Sequence, residues 1–166
     1  LPAYNEEEVI EKTTAQLHQL LAEMIQANKI STNSFILYVD DGSKDNTWAL
    51  VNALHEQYGN VLGLRFSTNF GHQNALIAGM THLTDTDVDY VVTIDADLQD
   101  DPKAIVAMVD LANQGKDIVY GVRNDRTSDT FFKRFTAQSF YKVMSALGVN
   151  SIPNHADFRL LNQKVL

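Results

Sequence analysis

The alternation of extended and helical patterns is the feature that most limits the folds open to this chain. Runs rich in β-branched and aromatic residues predict strands at residues 34–39, 61–66, 88–94 and 118–122. Apolar residues at helical spacing predict helices between and beside them, at residues 6–28, 45–58, 71–83 and 102–113. Such an alternation packs as a mostly parallel sheet with helices on both faces, so the sequence predicts an α/β, Rossmann-like domain.

Composition narrows the class of protein. The 166 residues suit one domain, and 13 Lys plus Arg against 21 Asp plus Glu give a net charge of −8. That balance argues against a nucleic-acid-binding surface. The absence of cysteine excludes disulfides and thiolate metal sites. Because the chain begins inside what reads as a motif, we expect residues 1–166 to be a fragment that lacks its first strand and any C-terminal membrane segments.

Acidic motifs stand at the ends of predicted strands. Asp40 and Asp41 follow the first predicted strand, and Asp95 and Asp97 follow the third. Asp157 adjoins a short final strand predicted at residues 158–161. Ligands of open α/β sheets bind beyond the carboxyl ends of the strands, so one shared cleft is the simplest account of these motifs.

The middle motif is typical of a metal site. If extended geometry persists beyond the strand, Asp95, Asp97 and Gln99 project to one side. Oxygen donors of this kind suit a hard divalent cation such as Mg²⁺ or Mn²⁺, which can neutralise a diphosphate. The alternative is that these acids only precede a helix. Asp100 and Asp101 are better placed for that role, which favours the metal site.

Other polar residues admit a structural interpretation. Asp40 could simply finish its strand or cap the following turn, and this is as well supported as a functional role. Asp41, followed by Gly42, is interpreted as functional because the other motifs support it. Gly71 could make a turn or let the backbone approach a ligand. His72 is interpreted as a polar loop residue, and no role is assigned to any histidine.

The ordered set of motifs resembles the family-2 glycosyltransferases with the GT-A fold. The resemblance is closest to their polyprenyl-phosphate branch, the group of dolichyl-phosphate mannose synthase and bactoprenol glucosyltransferase. It covers nearly the whole chain and is carried by the segments at residues 2–6, 39–47, 69–76, 95–102, 121–123 and 157–161.

The resemblance implies inverting transfer of a hexose from a UDP- or GDP-sugar to an acceptor, with polyprenyl phosphate as the best candidate. It implies nucleotide contacts at Pro2, Ala3, Tyr4, Glu6, Asp41, Asp95 and Ala96. It implies that Mg²⁺ or Mn²⁺ is held by Asp95, Asp97 and Gln99. The implied catalytic residues are Asp97, Arg123 at the departing diphosphate, and Asp157 as the candidate base. The acceptor phosphate is expected to meet Arg123, Lys133 and Arg134.

A helix predicted at residues 130–147 has two interpretations. Its apolar stripe, which includes Phe131 and Phe135, is explained by core packing in most proteins. With Lys133 and Arg134 beside it, the same stripe could lie on a membrane surface, apolar residues toward lipid and cations toward headgroups. The expected partners are therefore a nucleotide-sugar, a lipid phosphate and the cytoplasmic face of a membrane. A homo-oligomer is compatible with the sequence.

Three other functions stay open. The first is a glycosyltransferase with a sugar hydroxyl as its acceptor. The second is a sugar nucleotidyltransferase, which should carry a glycine-rich loop where this chain has residues 2–5. The third is a phosphoacceptor signalling domain, which should carry a lysine where this chain has Arg123.

Overall fold

A computed structural model describes residues 1–122 and 155–166 of the chain. Its strands are β1 (Pro2–Ala3), β2 (Ile36–Asp40), β3 (Val61–Arg65), β4 (Tyr90–Thr93), β5 (Ile118–Val122) and β6 (His155–Asn162). Its helices are α1 (Ile10–Gln26), α2 (Thr47–Tyr58), α3 (His72–Thr84) and α4 (Ala104–Asn113), and a short 3₁₀ turn covers Gln163–Val165. The predicted helix 130–147 and the predicted roles of Arg123, Lys133 and Arg134 lie outside the described residues.

The strands form two three-stranded sheets. One has the order β1-β2-β3 with all strands parallel, and the other has the order β4-β6-β5. Strand β6 runs antiparallel to both of its neighbours, so β4 and β5 are parallel to each other. The predicted α/β class is confirmed. The final strand is longer than predicted and central, because β4 and β5 hydrogen-bond to it from both sides.

Helices cover both faces of the first sheet. Successive side chains of a strand point to opposite faces, so Tyr38 and Val39 lie on opposite faces of the sheet. The Tyr38 hydroxyl lies 2.9 Å from Thr14 Oγ1 in α1. On the other face, Gly79 of α3 packs so closely that an added Cβ would lie 3.0 Å from a methyl group of Val39.

Among the described residues, the core consists of two clusters of buried side chains. One surrounds β2 between α1 and α2, and the other surrounds β4 and β6 against α4. A cavity of about 650 Å³ lies between them, with Leu1, Leu17, Ile36 and Ile94 in its wall. The expected strand ahead of Leu1 stays a prediction. Across the helices of the described part of the chain, none has the length and hydropathy of a membrane span.

Candidate active site

The direction of β6 explains why Asp95 and Asp157 meet. Strand β6 is antiparallel to β4, and Thr93, the last residue of β4, pairs with Arg159. Asp95 lies two residues after Thr93, and Asp157 lies two residues before Arg159, so both emerge at the same edge. The hydroxyl of Thr93 also donates to the backbone carbonyl of Asp157. The register of two strands therefore joins two motifs that are distant in the sequence.

The chain turns sharply where the middle motif begins. Strand β4 ends at Thr93, Leu98 N donates to the Asp95 carbonyl at 3.2 Å, and Leu98 has a φ of 49°. The extended geometry on which the common direction of Asp95, Asp97 and Gln99 depended therefore does not persist beyond the strand. Gln99 instead binds Asp97, with its backbone N 3.2 Å from Oδ1 and its Nε2 2.7 Å from Oδ2. Gln99 thus orients the Asp97 carboxylate, and its role as a metal ligand stays a prediction.

Helix α1 binds the turn that contains Asp95 and Asp97. Thr13 Oγ1 donates to the carbonyl oxygen of Ala96 at 2.6 Å, within a buried contact. The methyl group of Ala96 is itself buried in the core around β2. The hydrogen bond and the buried methyl group therefore fix the main chain between Asp95 and Asp97. The nucleotide contact expected of Ala96 stays a prediction.

The electrostatics of Asp95 indicate a site for a cation. Its Oδ1 is buried and has no hydrogen-bond partner. Burial raises the pKa of Asp95 and the neighbouring carboxylates of Asp97 and Asp157 raise it further, although His72, whose Nε2 lies 3.8 Å from Oδ1, acts in the opposite direction. Burial and then the carboxylates of Asp97 and Asp95 also raise the pKa of Glu6. A positive charge here would relieve both the burial cost and the repulsion.

The donor set fits a cation that arrives with a phosphate ligand. Within residues 1–122 and 155–166, no three or more His, Cys, Asp or Glu side chains are grouped to hold a metal. Asp95 and Asp97 are two oxygen donors, and Mg²⁺ is commonly bound by one or two carboxylates with water and substrate phosphates completing its shell. The unpartnered oxygen of Asp95 and this donor chemistry both fit such a metal.

Two turns of distant origin are tied together beside this site. The backbone N of Asn5 lies 2.9 Å from Ser43 Oγ, and that of Glu6 lies 2.8 Å from Thr47 Oγ1. In return, Lys44 N donates to Asn5 Oδ1 at 2.9 Å. These reciprocal bonds fix the backbone that carries several predicted nucleotide contacts. Among those contacts, Pro2 and Ala3 are buried in β1 and Tyr4 is exposed.

Asp40 has a structural role. It is fully buried, its Oδ1 accepts from Ser43 N at 3.0 Å, and its Oδ2 lies 3.2 Å from Arg65 Nε without hydrogen-bond alignment. The turn that it caps needs glycine at position 42, where φ is 70° and an added Cβ would lie 2.5 Å from the backbone of Thr68. Of the two interpretations of Asp40, the structure supports the capped turn.

Asp41 holds the loop that precedes α3. Its Oδ1 accepts from Phe70 N at 2.7 Å, and its Oδ2 accepts from Gly71 N at 2.8 Å. With the residue 2% exposed, both carboxylate oxygens are engaged inside the protein. A direct contact of Asp41 with a nucleotide stays a prediction, whereas its contact with the loop is a feature of the structure.

We expect Asp41→Asn to lower the free energy of unfolding by about 2–4 kcal/mol, because an amide can accept from only one of the two buried N–H groups. Asp45→Asn is the matched control. Asp45 also accepts two backbone N–H groups, from Thr47 and Glu7, but at a less buried turn, so we expect it to cost about 1 kcal/mol or less. Urea unfolding measures both, and equal losses would contradict the role given to Asp41.

The start of α3 provides contacts that the sequence analysis missed. His72 Nε2 lies 3.1 Å from Asp157 Oδ2, and Gln73 Nε2 donates to the same oxygen at 3.1 Å. Arg159 approaches the other oxygen, with its Nη2 3.6 Å from Oδ1. The one signal available was the position of His72 and Gln73 inside a motif between two strands. Their partner could not be identified, because it lies 84 and 85 residues away.

In open α/β sheets, ligands bind beyond the carboxyl ends of the strands, where the acidic residues of this chain meet. The family model described as Glycosyl transferase family 2 matches residues 1–166, and the chain belongs to this family. The family and the GT-A fold expected from the motifs are thereby confirmed.

Relatives of known sequence agree. The chain is 48% identical over 166 residues to the uncharacterized glycosyltransferase YkoT of Bacillus subtilis. The match covers 100% of this chain and 49% of that protein. It is 36% identical over 170 residues to the bactoprenol glucosyl transferase of Shigella phage SfX, covering 100% of this chain and 52% of the relative. The chain therefore spans about half the length of the curated relatives it matches.

A solved structure supports the fold. The mannosyltransferase PcManGT from Pyrobaculum calidifontis, in complex with GDP-Man and Mn²⁺, superposes with a TM-score of 0.60 at 18% identity. The match covers 99% of this chain and 44% of that protein. At this identity the likeness shows the shared GT-A architecture.

Proposed function

We propose that this chain is the catalytic domain of an inverting, metal-dependent hexosyltransferase that uses a UDP- or GDP-sugar and transfers the hexose to polyprenyl phosphate. The observation that carries the proposal is the meeting of Asp95, Asp97 and Asp157 at one edge of the sheets, with one oxygen of Asp95 unpartnered. The family membership and the bactoprenol glucosyl transferases among the relatives support it.

On the donor side, Asp95 and Asp97 would hold Mg²⁺ or Mn²⁺, with Gln99 as the third ligand predicted from the sequence. The cation would neutralise charge on the diphosphate as the bond to the sugar breaks. Arg123 would add a bidentate contact to the same phosphates, as its place in the sequence motif suggests. The two hydrogen-bonded turns, of which one carries Tyr4 and Glu6, would bind the nucleoside of the donor.

On the acceptor side, Asp157 would face the attacking oxygen. Attack on the anomeric carbon opposite the diphosphate forms the new C–O bond as the old one breaks, which inverts the configuration. A phosphate monoester has a second pKa near ~6, so it arrives largely deprotonated and needs no base. Asp157 would then orient the acceptor without taking a proton, and Arg159, whose Nη2 lies 3.6 Å from Asp157 Oδ1, would offset the repulsion between the two anions. Against a hydroxyl group it would have to take the proton.

A lipid acceptor implies that the reaction takes place at a membrane surface, and we propose that this surface is the cytoplasmic face of the membrane. The cations Lys133 and Arg134, together with Arg123, belong to this part of the proposal on sequence grounds alone. They would give an otherwise acidic domain a group of positive charges suited to a phosphate.

Product formation on polyprenyl phosphate from a panel of UDP- and GDP-sugars with Mn²⁺ tests the function. We expect one donor to give a glycosylated lipid phosphate, and we expect Asp157→Asn to lower kcat by about tenfold or less, because no proton has to be abstracted. Asp117→Asn is the control. Asp117 is exposed and precedes the first residue of β5, at the end of the strand away from the site. If Asp157→Asn abolishes turnover on every acceptor, the acceptor is a hydroxyl group.

A further inference from the structure

The first turn of α3 contacts Asp157 through two consecutive side chains. His72 and Gln73 both place their Nε2 atoms 3.1 Å from the same carboxylate oxygen, Asp157 Oδ2. Consecutive residues of a helix diverge by about 100° around the axis, so the two side chains reach this oxygen from different directions. With Arg159 at the opposite oxygen, the carboxylate is restrained on both sides.

The main chain on which His72 and Gln73 stand is itself fixed. Asp41 binds the N–H groups of Phe70 and Gly71, the two residues that immediately precede them. Asn74 returns to this loop, with its Nδ2 donating to the carbonyl of Phe70 at 2.7 Å. A buried carboxylate at the end of β2 thus sets the start of α3. The start of α3 in turn sets the orientation of a carboxylate on β6.

His72 is partly exposed to solvent, but its ring has partners in the site. Its side chain is 45% exposed, but its Nε2 is directed into the site, between Asp157 at 3.1 Å and Asp95 at 3.8 Å. The nearer contact has hydrogen-bond length, and the farther one does not. The geometry therefore assigns His72 to Asp157 in preference to the candidate metal ligand.

We propose that His72 and Gln73 are positioning residues that hold the Asp157 carboxylate in the orientation needed to receive the acceptor. The proposal rests on the proposed function, because it concerns the acceptor step of that reaction. Neither residue is assigned a contact with the donor, the cation or the reacting atoms. Their proposed effect on the acceptor step passes through Asp157.

The test compares His72→Leu, which removes the ring nitrogen, with His72→Gln, whose Nε2 occupies a similar place. We expect His72→Leu to lower kcat about three- to tenfold, the net effect of one ordinary, partly exposed hydrogen bond, and His72→Gln to restore most of the loss. Donor KM and the affinity for UDP or GDP with Mn²⁺ should be unchanged in both. His82→Leu is the matched control, with an exposed histidine in the last turn of the same helix.

A double-mutant cycle shows whether the effect passes through Asp157. In an Asp157→Ala background no carboxylate remains to be held, so we expect His72→Leu to lower kcat by less than twofold further. An equal loss in both backgrounds would overturn the proposal, because His72 would then act on something other than Asp157. Weaker nucleotide binding in His72→Leu would overturn it as well, since it would make His72 a donor or metal contact.

Failure of the proposed function gives a different pattern. If the wild-type protein transfers no sugar to any acceptor, the function itself is wrong. If transfer occurs and Asp157→Ala lowers kcat while His72→Leu and Gln73→Ala have wild-type kcat, only the positioning role is wrong. Thermal unfolding of each variant separates either pattern from loss of the fold, because a positioning change leaves the melting temperature near that of His82→Leu.

Discussion

Replacing Asp97 with asparagine is expected to lower kcat by about a thousandfold, which corresponds to ~4 kcal/mol of transition-state stabilisation. The melting temperature should stay the same or rise slightly. Asp97 is exposed, and its charge acts unfavourably on both Asp95 and Glu6 when no cation is bound. Steady-state kinetics measures the loss of turnover, and thermal unfolding measures the change in melting temperature.

Asp101→Asn is the control for this variant. Asp101 is equally exposed, lies in the same loop, and accepts the backbone N–H of Lys103 as Asp97 accepts that of Gln99. The two substitutions therefore perturb the backbone in the same way, and only one alters the candidate metal site. A drop of several degrees in the melting temperature of Asp97→Asn, absent from Asp101→Asn, would identify Asp97 as a structural residue.

Removing the divalent cation is expected to weaken UDP or GDP binding by about a hundredfold or more, a loss of roughly 3 kcal/mol. Without the metal, the diphosphate would face a set of carboxylates in which burial, and then mutual repulsion, raises the pKa of Asp95 and of Glu6. Calorimetric titration of each nucleotide with Mn²⁺, and again with excess EDTA, measures the effect.

The reverse titration sharpens this test. The described residues offer two carboxylates and no group of three metal-binding side chains, so Mn²⁺ alone should bind weakly and should bind tightly once the nucleotide is present. Linkage requires the two enhancements to be equal. Equal nucleotide affinity with Mn²⁺ and with EDTA would remove the metal from the proposal, whereas tight binding of Mn²⁺ alone would point to ligands beyond Asp95 and Asp97.

The shifts between predicted and observed boundaries have local physical causes. The helix predicted from residue 6 begins at Ile10, because the N–H groups of Asn5, Glu6 and Glu7 bind side chains of the turn at residues 43–47. The strand predicted to reach Ile94 ends at Thr93, because the main chain turns and Leu98 adopts a positive φ. Side chains far along the chain impose the first change, whereas the second lies in a local turn of the main chain.

The sequence by itself determined the α/β class, the order of the helices and strands it covers, the family, and the residues from which a site could be built. These depend on hydrophobic periodicity and on short motifs, which are local properties of the chain. The structure alone decided which contacts these residues make within the protein. It shows Asp40 and Asp41 binding the backbone of turns, Asp157 brought beside Asp95 by the antiparallel register of β6, and His72 in contact with Asp157. Each of these contacts joins residues through strand register and helix packing, which are fixed only when the whole core assembles.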